Sequence, residues 1–122
     1  MRISLNTGDM NVGTAEEAVM LIQHHAANGM EEIWISADDA LYPALAVQVN
    51  GKHACVHYFS ENDGEMYMSI GDGKEEVTFI AGGIEWNAPA DAVITIDEAA
   101  ECVRRFCKDY KLPENILWQD GV

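Results

Sequence analysis

Three residues with metal-binding or nucleophilic side chains stand together in the middle of the chain: His53, Cys55 and His57, alternating in "KHACVHYF". In an extended strand alternate side chains share a face, so all three point the same way. Neighbouring members of the series have a spacing that suits a shared zinc ion. His53 and His57, however, lie about 13 Å apart along a strand, too far for one ion. Ala44, Ala46 and Gln48, on the strand opposite, add no further ligand. No metal and no cofactor is therefore expected. A nucleophile at Cys55 would need a histidine oriented by an acid, and no motif supplies one. A cysteine in such a run reads more simply as a small buried hydrophobe.

Carboxylates are the other chemical resource. Acids outnumber bases 21 to 7, for a net charge of −14. With so many acids, adjacent pairs arise by number alone and carry no catalytic signal. "GDGKEE" and "AGGIEW" are glycine-rich, but no Lys-Ser/Thr or helix start follows them, as a phosphate loop requires. "SENDGE" has closely spaced oxygen donors without the terminal glutamate of a calcium loop, and is expected to be a solvated turn. The acids are unevenly spread. Glu61, Asp63, Glu65, Asp72, Glu75, Glu76, Glu85 and Asp91 face only Lys74 between residues 61 and 96, which is half the net charge. Such a surface repels nucleic acid and anionic membranes and attracts basic partners.

The elements that would position these groups fit one domain spanning residues 1–122, a length that buries a core without disulfides or metal. No stretch approaches the ~20 apolar residues of a membrane helix. "MRISLNTGD" lacks the apolar core of a signal peptide. Three cysteines at scattered spacing make no disulfide framework, so a reducing cytoplasm is the expected setting. "RISLN" (2–6) reads as a strand. "GTAEEAVMLIQHHAANG" follows as a helix, with Thr14 and Glu17 at capping-box spacing and Ala15, Ala18, Val19, Ile22 and Ala26 as its apolar stripe. "EIWIS" (32–36) is a second strand. "ALAVQVNGKHACVHYF" reads as a hairpin with Asn50-Gly51 as its two-residue turn. That turn pairs Val49 with Lys52, Val47 with Ala54 and Leu45 with Val56, and puts Leu45, Val47, Val49, Ala54 and Val56 on one core face.

"EMYMSI" (65–70) and "EVTFIA" (76–81) are two more strands joined by the turn-rich "GDGK", with Met66 and Met68 expected in the core. "GIEWNAP" and "AVITI" are further short strands. Residues 97–110 form the second helix, with Thr95 and Glu98 as a capping box and Ala99, Cys102, Val103, Phe106 and Tyr110 as its buried stripe. Cys107 is expected half-buried beside Val103. Pro113 ends the helix, and Trp118 suggests that the tail belongs to the fold. The predicted architecture is α+β: a mostly antiparallel, meandering sheet packed against two helices, with a short C-terminal strand.

The last third resembles immunity protein family one of bacterial polymorphic-toxin and contact-dependent growth inhibition systems. The likeness covers about residues 54–120. It rests on an ordered series: Gly82 and Gly83 after a strand, Pro89, Ile94 in a short strand, Ala99 or Ala100 and Phe106 in a helix, then Leu112, Pro113, Ile116 and Trp118. "VHYFS" and "YMSIG" resemble the family's middle strands. "DYKLP" departs from the pattern, which leads one to expect a glycine before the Leu-Pro. The resemblance implies an antitoxin, not an enzyme, that binds a cognate toxin domain, often a nuclease or nucleic-acid deaminase, and blocks its active site. It also implies that "LPENILWQD" returns the chain from the last helix to the body of the protein.

Acidity adds that the toxin is basic. The expected contact residues are the acids Asp38, Asp39, Glu61, Asp63, Glu65, Asp72, Glu75 and Glu76, with Tyr67 and Trp86 as aromatic anchors. Neither nucleic acid nor membrane is an expected partner, and a homodimer is compatible with the sequence. Two other functions remain open from the residues alone: an acidic adaptor for a different protein, and a small-molecule enzyme using Cys55 or a carboxylate pair.

Overall fold

Runs of β-branched and aromatic residues give strands, and the two capped apolar stripes give helices. The computed structural model describes residues 1–5, 7–61 and 64–120. In chain order the elements are β1 (Arg2–Leu5), β2 (Gly8–Asn11), α1 (Ala15–Ala27), β3 (Met30–Ser36), β4 (Ala44–Asn50), β5 (His53–Phe59) and β6 (Met66–Ile70). They continue with β7 (Val77–Ala81), β8 (Ile84–Ala88), a 3-10 turn (Ala90–Ala92), β9 (Ile94–Thr95), α2 (Ile96–Asp109) and β10 (Leu117–Asp120). All strands but β7 and β8 join one antiparallel sheet in the order β10-β6-β5-β4-β3-β1-β2, with β9 paired to β5. The α+β architecture is the one the sequence predicts.

Both helices cover one face of this sheet. Leu45, Val47, Val49, Ala54 and Val56 are fully buried there against Val19 and Ile22 of α1 and Ala99, Val103 and Phe106 of α2. This is the predicted core face, although the register differs. The loop residues are Gly51 and Lys52, so Asn50 pairs with His53, Val49 with Ala54, Val47 with Val56 and Leu45 with Tyr58. Gly51, at the first loop position, has φ +63, which glycine adopts without penalty. The pairing is displaced by two residues, an even number, so every side chain keeps its face.

The opposite face is covered as well. There β7 and β8 form a separate hairpin, and Phe79 and Ala88 pack with Cys55, Met68, Ala92 and Val93 in a second core. Burial on both faces explains why "ALAVQV" is nearly continuous in apolar residues rather than alternating. The expected succession of strands is corrected at this point. β6 lies between β5 and β10, and β7 pairs with β8 alone. Close approach of backbone to backbone accounts for it. A Cβ on Gly71 would stand 2.1 Å from the Val93 carbonyl oxygen, and the Gly71 N–H donates to Asp91 O at 2.8 Å. The chain after β6 is thus held against residues 90–93 and leaves the sheet. Met68 enters the second core, whereas Met66 is only half-buried. Strand β2, all four residues exposed, has no apolar alternation to reveal it.

Both caps form. Thr95 and Glu98 exchange two hydrogen bonds of 3.0 Å, and the Thr14 hydroxyl accepts from the Glu17 N–H at 3.2 Å. Tyr110 ends α2 in the left-handed conformation, φ +58, in the stretch before the Leu-Pro where a glycine is expected. Its ring packs edge-on against Phe106 at 5.3 Å, which offsets the roughly 1–2 kcal/mol that this conformation costs. The tail is tied down as expected. β10 pairs with β6 from Leu117↔Ile70 to Asp120↔Tyr67. Trp118 packs on the first core, and its indole N–H donates to Pro113 O at 2.6 Å. Deleting residues from 113 onward is expected to cost about 3 kcal/mol or more, read as a lower thermal midpoint. An unchanged midpoint would make the tail peripheral.

Candidate functional site

Of the three residues best suited to covalent or metal chemistry, Cys55 and His57 lie inside the protein, and His53 is half-buried beside a surface cleft. Cys55 is fully buried, and desolvation pushes its thiol up to about 12. A thiol so held is not a thiolate at neutral pH, which removes the basis for a Cys55 nucleophile. Cys102 is likewise buried and raised to about 12, and half-buried Cys107 to about 11. Among the described residues no three His, Cys, Asp or Glu side chains converge on a metal position.

His57 belongs to a buried polar chain. Its Nδ1 lies 2.9 Å from Gln48 Oε1. Gln48 Nε2 donates to Glu32 Oε2 at 2.7 Å, and Glu32 Oε1 accepts from the Gly82 N–H at 3.1 Å. Because the Gln48 amide turns its nitrogen to Glu32, its oxygen faces His57, so Nδ1 carries the proton. The chain ties the sheet to the β7–β8 turn. Trp86 tilts over the His57 ring at 5.5 Å. This arrangement holds a hairpin in place.

The acids remain at the surface, where the antiparallel registers sort them into two groups. Ser36 pairs with Ala44, Ala44 with Phe59, and Phe59 with Met66. Asp38 and Asp39 after β3, and Glu61 and Glu65 between β5 and β6, therefore occupy one end of the sheet, all exposed. Asp63 lies outside the described residues. Tyr67 is at this end too and donates its hydroxyl to Glu65. Asp38 is 3.0 Å from the amino group of Met1. Asp72, Glu75 and Glu76 follow β6 at the opposite end. Asp72 and Glu75 border a cleft of about 430 Å³ floored by Val77, Val93 and Ile94. Lys52 and Lys74 share its rim, so acid is interleaved with base there. Trp86 belongs to neither group: it is half-buried over the middle of the sheet.

Four residues at the first end were not among the expected contacts: Tyr58, Asp109, Asp120 and Tyr110, the last expected in the buried stripe of α2 and found only half-buried. Tyr58 pairs across the strands with Tyr67, ring centroids 6.4 Å apart, and its ring meets Phe106 at 6.2 Å. Asp120 pairs with Tyr67 from the tail. The phenols of Tyr58, Tyr67 and Tyr110 are raised above their ordinary value. Burial and Asp109 raise Tyr58, and burial, Cys107, Asp38 and Asp39 raise Tyr110. The hydrogen bond to Glu65 leads at Tyr67, followed by desolvation and by the charges of Glu65 and Asp120. Nothing in local sequence joins residues 38, 58, 67, 110 and 120; only the strand order and the end of α2 do.

Buried Cys55 and His57, exposed carboxylates and a central hairpin covered on both faces define an α+β domain whose surface is dominated by acids. Comparison with protein families places it more narrowly. The model of the family described as immunity protein Imm1 matches residues 6–120, and the chain belongs to that family. The family implies a toxin as partner. No curated protein matches the chain.

His57 supplies a test of this packing. Desolvation lowers its pKa from 6.5 to about 4, against a smaller upward pull from Glu32. The folded state thus favours the neutral ring, and the unfolded chain takes up the proton first. The resulting stabilisation is full above pH 6.5 and is lost as pH falls from 6.5 to 4, to a total of about 3 kcal/mol. In an NMR titration the His57 ring carbons are expected to keep their neutral shifts from pH 7 to 5. A midpoint near 6.5 would mean that water reaches the ring and that the chain through Gln48 is open.

Proposed function

We propose that this protein is the cytoplasmic antidote to a nuclease or nucleic-acid deaminase toxin of a polymorphic-toxin or contact-dependent inhibition system, and that it acts by occupancy rather than catalysis. The observation that carries the reading is the family match over residues 6–120 in a chain of net charge −14. A toxin that acts on nucleic acid presents cations around its active site to hold phosphates. Carboxylates on the antidote take the place of those phosphates and cover the site. Opposite net charges also accelerate encounter by about 10- to 1000-fold. Speed matters here, since every turnover before capture damages the cell. Burial of Cys55 and His57 supports a non-enzymatic role, because neither reaches a substrate from solvent.

The test uses the domain encoded at the C-terminus of the neighbouring upstream gene. Association of the two proteins is expected to slow steeply between low and physiological salt, with dissociation changing far less. Two charge-reversal sets separate the acidic ends: Asp39→Lys with Glu61→Lys and Glu65→Lys, and Asp72→Lys with Glu75→Lys and Glu76→Lys. At least one set should slow association tenfold or more and abolish protection of cells, with the melting midpoint kept. Wild-type association in both variants would overturn the electrostatic reading. Failure of the wild-type protein to protect against the neighbouring domain would overturn the antidote reading itself.

A further inference from the structure

The phenol cluster at the Asp38 end has an acceptor without a donor. Tyr58 is only 9% exposed, with its ring fixed between Tyr67 and Phe106. Its hydroxyl makes no hydrogen bond among the described residues and is not among the side-chain atoms sealed from solvent. The ring is thus held between its neighbours while the oxygen reaches the surface with no partner among the described residues. A phenol placed this way pays its ordering cost in advance and has bonding capacity left for a ligand.

Its neighbours specify what ligand. Tyr67 and Asp120 are cross-strand partners at the margin of the sheet. Glu65 is fixed by the Tyr67 hydroxyl. On the far side Met1 contacts Cys107 through sulfur at 3.0 Å and Asp38 through its amino group at 3.0 Å, which brings Asp38 to the last turn of α2, beside Tyr110. Aromatic rings, linked from Tyr67 through Tyr58 and Phe106 to Tyr110, and acceptor oxygens lie side by side at this end of the sheet. The C-terminal end of α2 adds its partial negative charge. A lysine ammonium would satisfy the charge alone. A guanidinium satisfies charge, planarity and number of donors together, stacking on a phenol ring while its fork bonds carboxylate and phenol oxygens.

We propose that the Tyr58–Tyr67–Tyr110 cluster, with Glu65 and Asp120, is a receptor for an arginine side chain of the protein partner. This deepens the antidote reading and rests on it for the partner's identity. The arginine-rich face of a nucleic-acid-directed toxin supplies the side chain, and the Asp72–Glu75 end is not the principal contact.

The receptor is tested without the toxin, on the full chain. A hexa-arginine peptide and a hexalysine peptide of equal charge are titrated separately and followed by NMR of the tyrosine rings. The arginine peptide is expected to shift Tyr58, Tyr67 and Tyr110 and to bind at least fivefold more tightly than the lysine peptide. Tyr58→Phe, which keeps the ring, should remove most of that difference. Tyr67→Phe combined with Glu65→Gln, which keeps the half-buried ring and removes only the hydroxyl and the exposed charge, should do the same with an unchanged melting midpoint. Asp72→Asn with Glu75→Gln should leave the preference intact. Equal binding of the two peptides without ring shifts would overturn the inference, as would shifts confined to residues 72–76. Either result leaves the antidote reading standing if the wild-type protein still protects cells. Loss of protection alongside a clear arginine preference would instead keep the receptor and remove the toxin.

Discussion

Because β4 and β5 carry apolar side chains on both faces, each face of the central hairpin needs its own cover, and the rest of the chain is arranged to provide two. Helices α1 and α2 close one side over Leu45, Val47, Val49 and Val56. The β7–β8 hairpin closes the other over Cys55 and Met68. Each of these aliphatic side chains contributes about 1.5–3 kcal/mol when removed from water, so neither cover is dispensable. The polar side chains that share the second interior each find a partner: Gln48 with Glu32 and His57, and Ser69 with Ala92 O at 2.7 Å. Ser69 also accepts from the Val56 N–H at 3.1 Å. That bond matters because the outer edge of β5 is divided, with His53 and Ala54 paired to β9 and His57 to Phe59 paired to β6. The serine serves the backbone group left between them.

A body fixed in this way leaves its ends free for recognition. Loops after β3 and between β5 and β6, the last turn of α2 and the final strand all reach one end of the sheet, and none of the acids there is needed to hold the core. An immunity protein has to match its own toxin and can ignore others, so a rigid frame with charged ends suits the task. The family series runs through Gly82, Pro89, Phe106, Pro113 and Trp118, residues that shape turns and fill interior space. They sustain the frame.

Most of the frame was legible because its signals are local. Capping pairs, the stripes of both helices and the Asn-Gly hairpin all operate within a few residues. The hairpin register was misjudged by two positions, since Asn50 and Gly51 could both serve as turn residues and only Gly51 took the positive φ; even parity preserved the core face. The second cover was not foreseen, because its pairing depends on Gly71 lying against Val93, a contact between residues more than twenty positions apart. The acidic surface was visible in composition but not its division into two ends, which follows from strand direction. The phenol cluster was invisible for the same reason: Tyr110 reads as part of the buried stripe of α2, Tyr58 carries no signal of its own, and the two come to one end only once β6, β10 and α2 converge.

The wiring of the sheet also bears on how the chain acquires its shape. β3, β4, β5 and β6 are successive neighbours, as are β1 with β2 and β7 with β8, so most ladders close over short loops and incur little chain entropy. Such a topology has few long-range pairings for a sheet of this size, and folding rates rise as pairings become more local. The exceptions are β1 with β3, across α1, and the late additions β9 and β10. On a ribosome the central strands can therefore assemble while the tail is still being made. The last strand to join this sheet is residues 117–120 beside β6, and its arrival sets the moment at which the Tyr67 edge gains its outer neighbour.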